Sequence, residues 1–258
     1  MDLNLAGKVV VVTGGTAGIG LAAVREFALE GCKVVTCGRS SEKFVPAKKA
    51  LADAGSEVHF YQLDITDLKS QKTFAEDVFS KFGSIDVWVN NAGVVLLKRT
   101  LEHTEEDWDR IMNTNLKALF FACQNAARCM IKSGKGGVII NLSSFSAQVS
   151  RTGLVAYAAS KAAVISVTKT FAADLAPHGI RVASVSPGPT ATEMTKGRFD
   201  ANNAVMTQNI AMQRLGETAE IARPLVVLAS DVCSYVTGVD IQINGGKLAV
   251  QHPEEVWR

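Results

Sequence analysis

Tyr157 and Lys161 stand four residues apart in the run Tyr157-Ala158-Ala159-Ser160-Lys161, and Ser144 lies thirteen residues before the tyrosine. On a helix, positions i and i+4 share a face, so a phenol and an ammonium at this spacing can enter one pocket. A phenol releases its proton near pH ~10, too high for a base at neutrality. A fixed cation beside it stabilises the phenolate and lowers that value. The tyrosine then becomes a general acid–base group suited to neutral pH. The same two residues on a solvated helix carry no chemistry, so the pair needs support from the rest of the chain.

That support sits near the start of the chain. Lys8-Val9-Val10-Val11-Val12-Thr13 is β-branched and reads as a strand buried on both faces. Gly14-Gly15-Thr16-Ala17-Gly18-Ile19-Gly20 follows at once, and Leu21 to Ala28 has helical apolar spacing. Strand, glycine turn and helix together make a diphosphate cradle. The glycines let backbone approach the ligand, and the free amides of the helix start face its charge. The spacing Gly14-x-x-x-Gly18-x-Gly20 is one residue looser than Gly-x-Gly-x-x-Gly.

The elements that must position these groups alternate along the chain. Further strands are expected at 33–37, 57–63, 85–90, 137–142, 180–185 and 239–243. Helices are expected at 42–54, 68–82, 104–133, 155–176 and 219–229, the fourth strand's follower opening with the cap and acids Thr104-Glu105-Glu106-Asp107. Such alternation predicts an α/β doubly wound, mostly parallel Rossmann-type sheet of about seven strands with helices on both faces. Ligands then bind at the C-terminal strand ends, where every motif falls. With 258 residues and no composition break, one domain spanning 1–258 is expected.

The chain resembles the short-chain dehydrogenase/reductases. The resemblance rests on Thr13-Gly14-x-x-x-Gly18-x-Gly20, Asn90-Asn91-Ala92-Gly93, Asn115, Ser144, Tyr157-x-x-x-Lys161 and Pro187-Gly188, in order and spacing from Leu5 to about Gly246. It implies hydride transfer between a nicotinamide cofactor and a ketone or secondary alcohol. Tyr157 is then the acid–base residue, Ser144 the group that holds the reacting oxygen, and Lys161 the partner of both the phenol and the ribose hydroxyls. Asn115 resembles the family residue whose backbone carbonyl holds a water near that lysine; a buried asparagine at a helix kink is the other reading. Ser143 is a neighbouring candidate, and the thirteen-residue offset favours Ser144.

The resemblance also implies a cofactor site. Gly14, Thr16, Gly18, Ile19 and Gly20 form its diphosphate turn. Asp64 and Ile65 meet the adenine, with capping of the next helix as the other role for Asp64. Asn91, Ala92 and Gly93 meet the ribose and brace the sheet. Pro187, Gly188, Thr190 and Thr192 hold the carboxamide, alongside Tyr157 and Lys161. NAD sites usually end the second strand in an acid that binds the ribose 2′-hydroxyl. Here the chain reads Cys37-Gly38-Arg39-Ser40. Arg39 suits a 2′-phosphate and Ser40 adds a donor, so NADP(H) is favoured and NAD(H) remains possible. Against this, no basic residue stands in the glycine turn.

Four-residue Tyr–Lys spacing points to carbonyl–alcohol chemistry rather than enoyl reduction. The segment 193–214 is expected to form a substrate lid, with Met194, Phe199, Met206 and Met212 lining a pocket or joining the core. Phe145, Gln148, Val149 and Leu154 are candidate pocket residues, and Arg151 is the charged one among them. The expected substrate is a small neutral ketone or alcohol; 3-oxoacyl compounds and an NAD-dependent alcohol dehydrogenase are alternatives. A catalytically silent cofactor-binding sensor is the alternative outside enzymes. Leu116, Ala118, Leu119, Phe120, Phe121 and Ala122 make helix 104–133 apolar over much of its surface, which suits a homotetramer or homodimer interface or burial within one chain.

Net charge is +2 and no basic cluster interleaves aromatics, so nucleic acid is not an expected partner. The five cysteines are scattered, and the four histidines do not pair at ligand spacing, so no metal is expected. The start of the chain lacks a charged n-region with an apolar core, and no apolar run approaches ~20 residues. A cytoplasmic protein with no membrane partner is the expectation.

Overall fold

A computed structural model describes residues 2–55, 57–193, 195 and 207–249. Seven strands form one sheet in the order β3-β2-β1-β4-β5-β6-β7: β1 is Val9–Thr13, β2 Lys33–Gly38, β3 Val58–Gln62, β4 Val87–Asn90, β5 Gly137–Leu142, β6 Ile180–Pro187 and β7 Asp240–Ile243. Every strand pair is parallel, as the strand–helix alternation requires. The helices are α1 Gly18–Leu29, α2 Phe44–Ala50, α3 Leu68–Phe82, α4 Glu105–Met112, α5 Ala118–Ser133, α6 Val155–Leu175 and α7 Thr218–Ala229.

Successive strand side chains point to opposite faces, and β1 shows what that does here. Val9 and Val11 enter one core, under α3, α5 and α6, while Val10 and Val12 enter the other, under α1 and α7. All five β1 residues are buried, which is why the strand reads as a continuous apolar run. The strand order reverses between β1 and β4, and that switch point opens a crevice at the C-terminal strand ends.

The single helix expected at 104–133 is two helices. A π-turn over Asn113–Lys117 separates α4 from α5. Thr104 caps α4 as expected, with its hydroxyl and the Asp107 carboxylate closing a reciprocal capping box. Asp64, the other expected cap, is not one. Asp67 caps α3 by accepting from the amides of Lys69 and Ser70, and Asp64 closes a tight turn on Thr66. Strand β4 begins at Val87, not Ile85, because the Asp86 carboxylate turns back to accept from the Val9 amide at 2.7 Å. Most of the expected lid, including Met194, Phe199 and Met206, lies outside the described residues, and Met212 is exposed.

Candidate active site and cofactor crevice

The glycine turn is shaped by packing as much as by the ligand it would face. Gly15 and Gly20 have no room for a side chain. A Cβ at Gly15 would stand 2.2 Å from Thr36 Oγ1, and one at Gly20 would stand 2.3 Å from Asn91 Nδ2. The contacts that forbid a side chain also lock the turn. Thr36 Oγ1 accepts from the Gly15 amide at 3.1 Å and donates to the Val12 carbonyl at 2.7 Å. Asn91 Nδ2 donates to the carbonyls of Thr13 and Gly14 at 2.9 and 3.1 Å. Thr13 Oγ1 in turn accepts from the amides of Asn91 and Ala92. The turns after β1 and β4 therefore hold each other across the switch point. Gly15 and Thr36 escaped the sequence reading; a second adjacent glycine opposite a strand threonine was the available signal.

A crevice of about 1070 Å³ runs along the strand ends. Its walls include each of the expected cofactor residues, from Gly14, Thr16, Gly18, Ile19 and Gly20 through Pro187, Gly188, Thr190 and Thr192. Arg39 and Ser40 stand at the β2 end, beside Asp64 and Ile65 from the end of β3. Lys43, not singled out from sequence, joins them from the short turn after β2. Among the described residues the lining holds six basic side chains, Arg39, Lys43, Arg110, Lys117, Arg151 and Lys161, against two acidic ones, Asp64 and Glu193. Gly38 occupies the position where an acid would sit, and a Cβ there would lie 3.1 Å from Thr16 Cγ2.

Ser144, Tyr157 and Lys161 share the other part of the same wall. Tyr157 and Lys161 lie one turn apart on α6, with Lys161 Nζ 5.9 Å from the phenol ring centre. Lys161 is buried and donates to the Leu142 carbonyl at 2.6 Å. Burial without a carboxylate neighbour pushes its ammonium down to about 8. The two candidate serines are distinguished by their partners. Ser143 donates to the Lys161 carbonyl at 2.8 Å, whereas Ser144 Oγ accepts from the Ser146 amide at 3.1 Å and keeps its proton for another acceptor.

Asn115 stands behind the wall, fully buried in the π-turn. Its side chain accepts from the Val94 amide at 2.8 Å and donates to the Val94 carbonyl at 2.9 Å. Nδ2 also reaches Ser160 Oγ at 3.2 Å, and Ser160 donates to the Tyr157 carbonyl. The widened turn thus ties the segment after β4 to the helix carrying Tyr157. A side chain at Gly93 would come within 3.3 Å of Asn115 Oδ1 and 3.7 Å of Lys161 Nζ, so bare backbone keeps the crevice open above the lysine. Of the expected pocket residues, Phe145 and Leu154 line the wall. Gln148 instead turns to Asp240 at 3.4 Å, and Val149 is exposed.

With that geometry in view, comparison with known proteins decides the family. The sequence profile for short chain dehydrogenases matches residues 8–203. The chain is a short-chain dehydrogenase/reductase. It is 40% identical over 244 residues to the 3-oxoacyl-[acyl-carrier-protein] reductase FabG of Thermotoga maritima, covering 95% of this chain and 99% of that one. It is 35% identical over 246 residues to FabG of Chlamydia pneumoniae, covering 95% and 99%. A crystal structure of a short-chain type dehydrogenase/reductase from Mycobacterium marinum superposes with a TM-score of 0.92 at 34% identity, covering 96% of this chain and 98% of that one. Among the described residues of this short-chain dehydrogenase/reductase, no helix is long and apolar enough to cross a membrane.

Proposed function

We propose that this short-chain dehydrogenase/reductase is an NADP(H)-dependent carbonyl reductase or alcohol dehydrogenase with Tyr157 as its general acid–base. The observation that carries the reading is one crevice with Ser144, Tyr157 and Lys161 in one part and Arg39, Ser40 and Lys43 in another. The residues present fit the dinucleotide. The glycine turn offers backbone, the charged side chains of the lining are mostly basic, and the end of β2 has a guanidinium and a hydroxyl where NAD sites have an acid. When bound, the nicotinamide supplies the hydride chemistry.

The chain's own residues supply position and a proton. Tyr157 gives its phenolic proton to the carbonyl oxygen as negative charge grows there, and takes one from the alcohol in the reverse direction. Ser144 donates a hydrogen bond to the same oxygen, a contact of the kind that contributes roughly 3–4 kcal/mol when lost from an oxyanion site. Lys161, held by the Leu142 carbonyl, stabilises the phenolate left behind.

A 3-oxoacyl substrate is the favoured member of the ketone class, because the curated relatives at 35–40% identity are 3-oxoacyl-[acyl-carrier-protein] reductases. A silent cofactor sensor would have no use for a shared wall of serine, phenol and buried ammonium. Supporting a homo-oligomer, tetramer or dimer, Trp108 and Ile131 on α4 and α5 are exposed, and Phe120 and Phe121 on α5 are half-buried. A cytoplasmic location completes the proposal. The test is NADPH consumption with ketones and 3-oxoacyl thioesters. Turnover is expected in the wild type, and Tyr157→Phe should lower kcat by about 10²–10⁴-fold with NADPH affinity retained. Full turnover by Tyr157→Phe would remove the mechanism.

A further inference from the structure

Thr195 Oγ1 takes part in four hydrogen bonds. It lies 2.7 Å from the Thr190 carbonyl and 2.9 Å from the Thr192 carbonyl, and it receives the Thr192 amide at 2.9 Å. The fourth is with Thr192 Oγ1 at 3.0 Å. A hydroxyl has one proton to donate and two lone pairs with which to accept. Both carbonyls can only accept, so the single Thr195 proton goes to one of them. Taken alone, either hydroxyl could donate in the Thr192–Thr195 bond; with the Thr195 proton on a carbonyl, Thr192 is its donor. With its proton committed inward, Thr192 presents lone pairs alone to the crevice whose wall it forms.

We propose that Thr195 is a positioning residue that makes Thr192 an obligate acceptor, selecting a ligand with an N–H at that point. This rests on the reading above that the crevice takes a nicotinamide cofactor, whose carboxamide offers an NH₂ group. The turn that carries Thr192 is fixed from its other side as well. The Ala191 amide donates to the Gly216 carbonyl, and the Gly216 amide donates to the Pro189 carbonyl. The remaining freedom at Thr192 is therefore the rotation of one hydroxyl, and Thr195 removes it. Nothing in the spacing Thr190-x-Thr192-x-x-Thr195 required this; the direction follows from donor and acceptor counting on the observed partners.

The test compares NADPH with its reduced 3-acetylpyridine analogue, in which a methyl group replaces the carboxamide NH₂. Dissociation constants are measured by calorimetry on the full chain, without substrate. Wild type should favour NADPH by roughly tenfold, the scale of one hydrogen bond. Thr192→Val should bring the ratio to about one by weakening NADPH alone. Thr195→Val should move the ratio the same way, and Thr195→Ser should restore it. A Thr195→Val protein that keeps the wild-type ratio, or that loses both ligands equally, overturns the positioning role while leaving the cofactor reading intact. A wild type that binds NADPH and its analogue equally does the same. Failure of the wild type to bind NADPH at all removes the cofactor reading and this inference together.

Discussion

The side chain of Asn115 satisfies both backbone groups of Val94, accepting from its amide and donating to its carbonyl. A π-turn residue thereby acts as a stretch of strand for the segment leaving β4. Asn115→Ala leaves both Val94 groups without that partner in a part-buried site, at about 1 kcal/mol for each hydrogen bond lost. The melting temperature should fall by several degrees, since 1 kcal/mol corresponds to roughly 2–4 °C at this size. Thermal unfolding by circular dichroism checks the stability, and kcat should fall as well, because the same clamp reaches Tyr157 through Ser160.

The adjacent serines should separate cleanly in kinetics. Ser143 is spent on the Lys161 carbonyl, whereas Ser144 faces the crevice with its proton available. Ser144→Ala should reduce kcat by about 10²–10³-fold, as for loss of an oxyanion donor, with little change in melting temperature. Ser143→Ala should do the opposite, destabilising by about 1 kcal/mol for one lost buried hydrogen bond. Equal kinetic effects in steady-state assays would contradict the assignment.

Lys161 gives a pH dependence of definite sign. Burial holds its native pKa near 8, below the ordinary 10.5. Between those values the unfolded chain binds a proton that the native one does not, so this group's contribution to stability rises with pH across that window. Below pH 8 both states are protonated and the full penalty of burying the charge is present. Relative to Lys161→Met, the wild type should therefore gain roughly 3 kcal/mol between pH 8 and 10.5, read from urea unfolding at several pH values. Reduction follows the opposite trend. kcat/KM should fall as pH rises through about 8, because the neutral amine no longer stabilises a phenolate.

Cofactor choice should respond to Arg39. It is exposed at the crevice edge beside Ser40 and Lys43, so its guanidinium contributes mainly when a doubly charged 2′-phosphate is near. Arg39→Ala should weaken NADPH by about tenfold or more and leave NADH within about twofold, measured by cofactor titration. Adding Lys43→Ala should extend the loss for NADPH alone.

Much of this architecture was legible because chemistry and strand ends coincide. Thr13, Asn90, Ser144 and Pro187 each mark or closely follow the end of an apolar strand, so the strand pattern together with the motifs of the resemblance located the crevice. What stayed hidden was local hydrogen bonding. Asp64 and Asp67 flank the same turn, and nothing in Asp-Ile-Thr-Asp says which carboxylate meets the helix amides. The segment Asn113–Lys117 holds no proline or glycine to mark a boundary, so the sequence reads as one helix. Asn90 and Asn141 are a further case. They look like polar interruptions of two strands, yet Asn90 accepts from Trp88 and donates to Asn141, which donates to Thr168 on α6. Trp88 is on the same strand as Asn90, but the other partners lie across the sheet and on a helix, beyond the reach of any local pattern.

The widened turn between α4 and α5 also shifts phase. A helix advances about 100° per residue, so one extra residue in a turn rotates everything beyond it by that amount. Here α4 leans on α6, while α5 leans on α3, where Gln71 reaches the Ala118 carbonyl and meets Asn125. A regular rod would present one stripe to one neighbour along its whole length. The added residue lets a single rod serve two neighbours, and the π-turn that holds it carries Asn115, which reaches Ser160 on the helix of Tyr157.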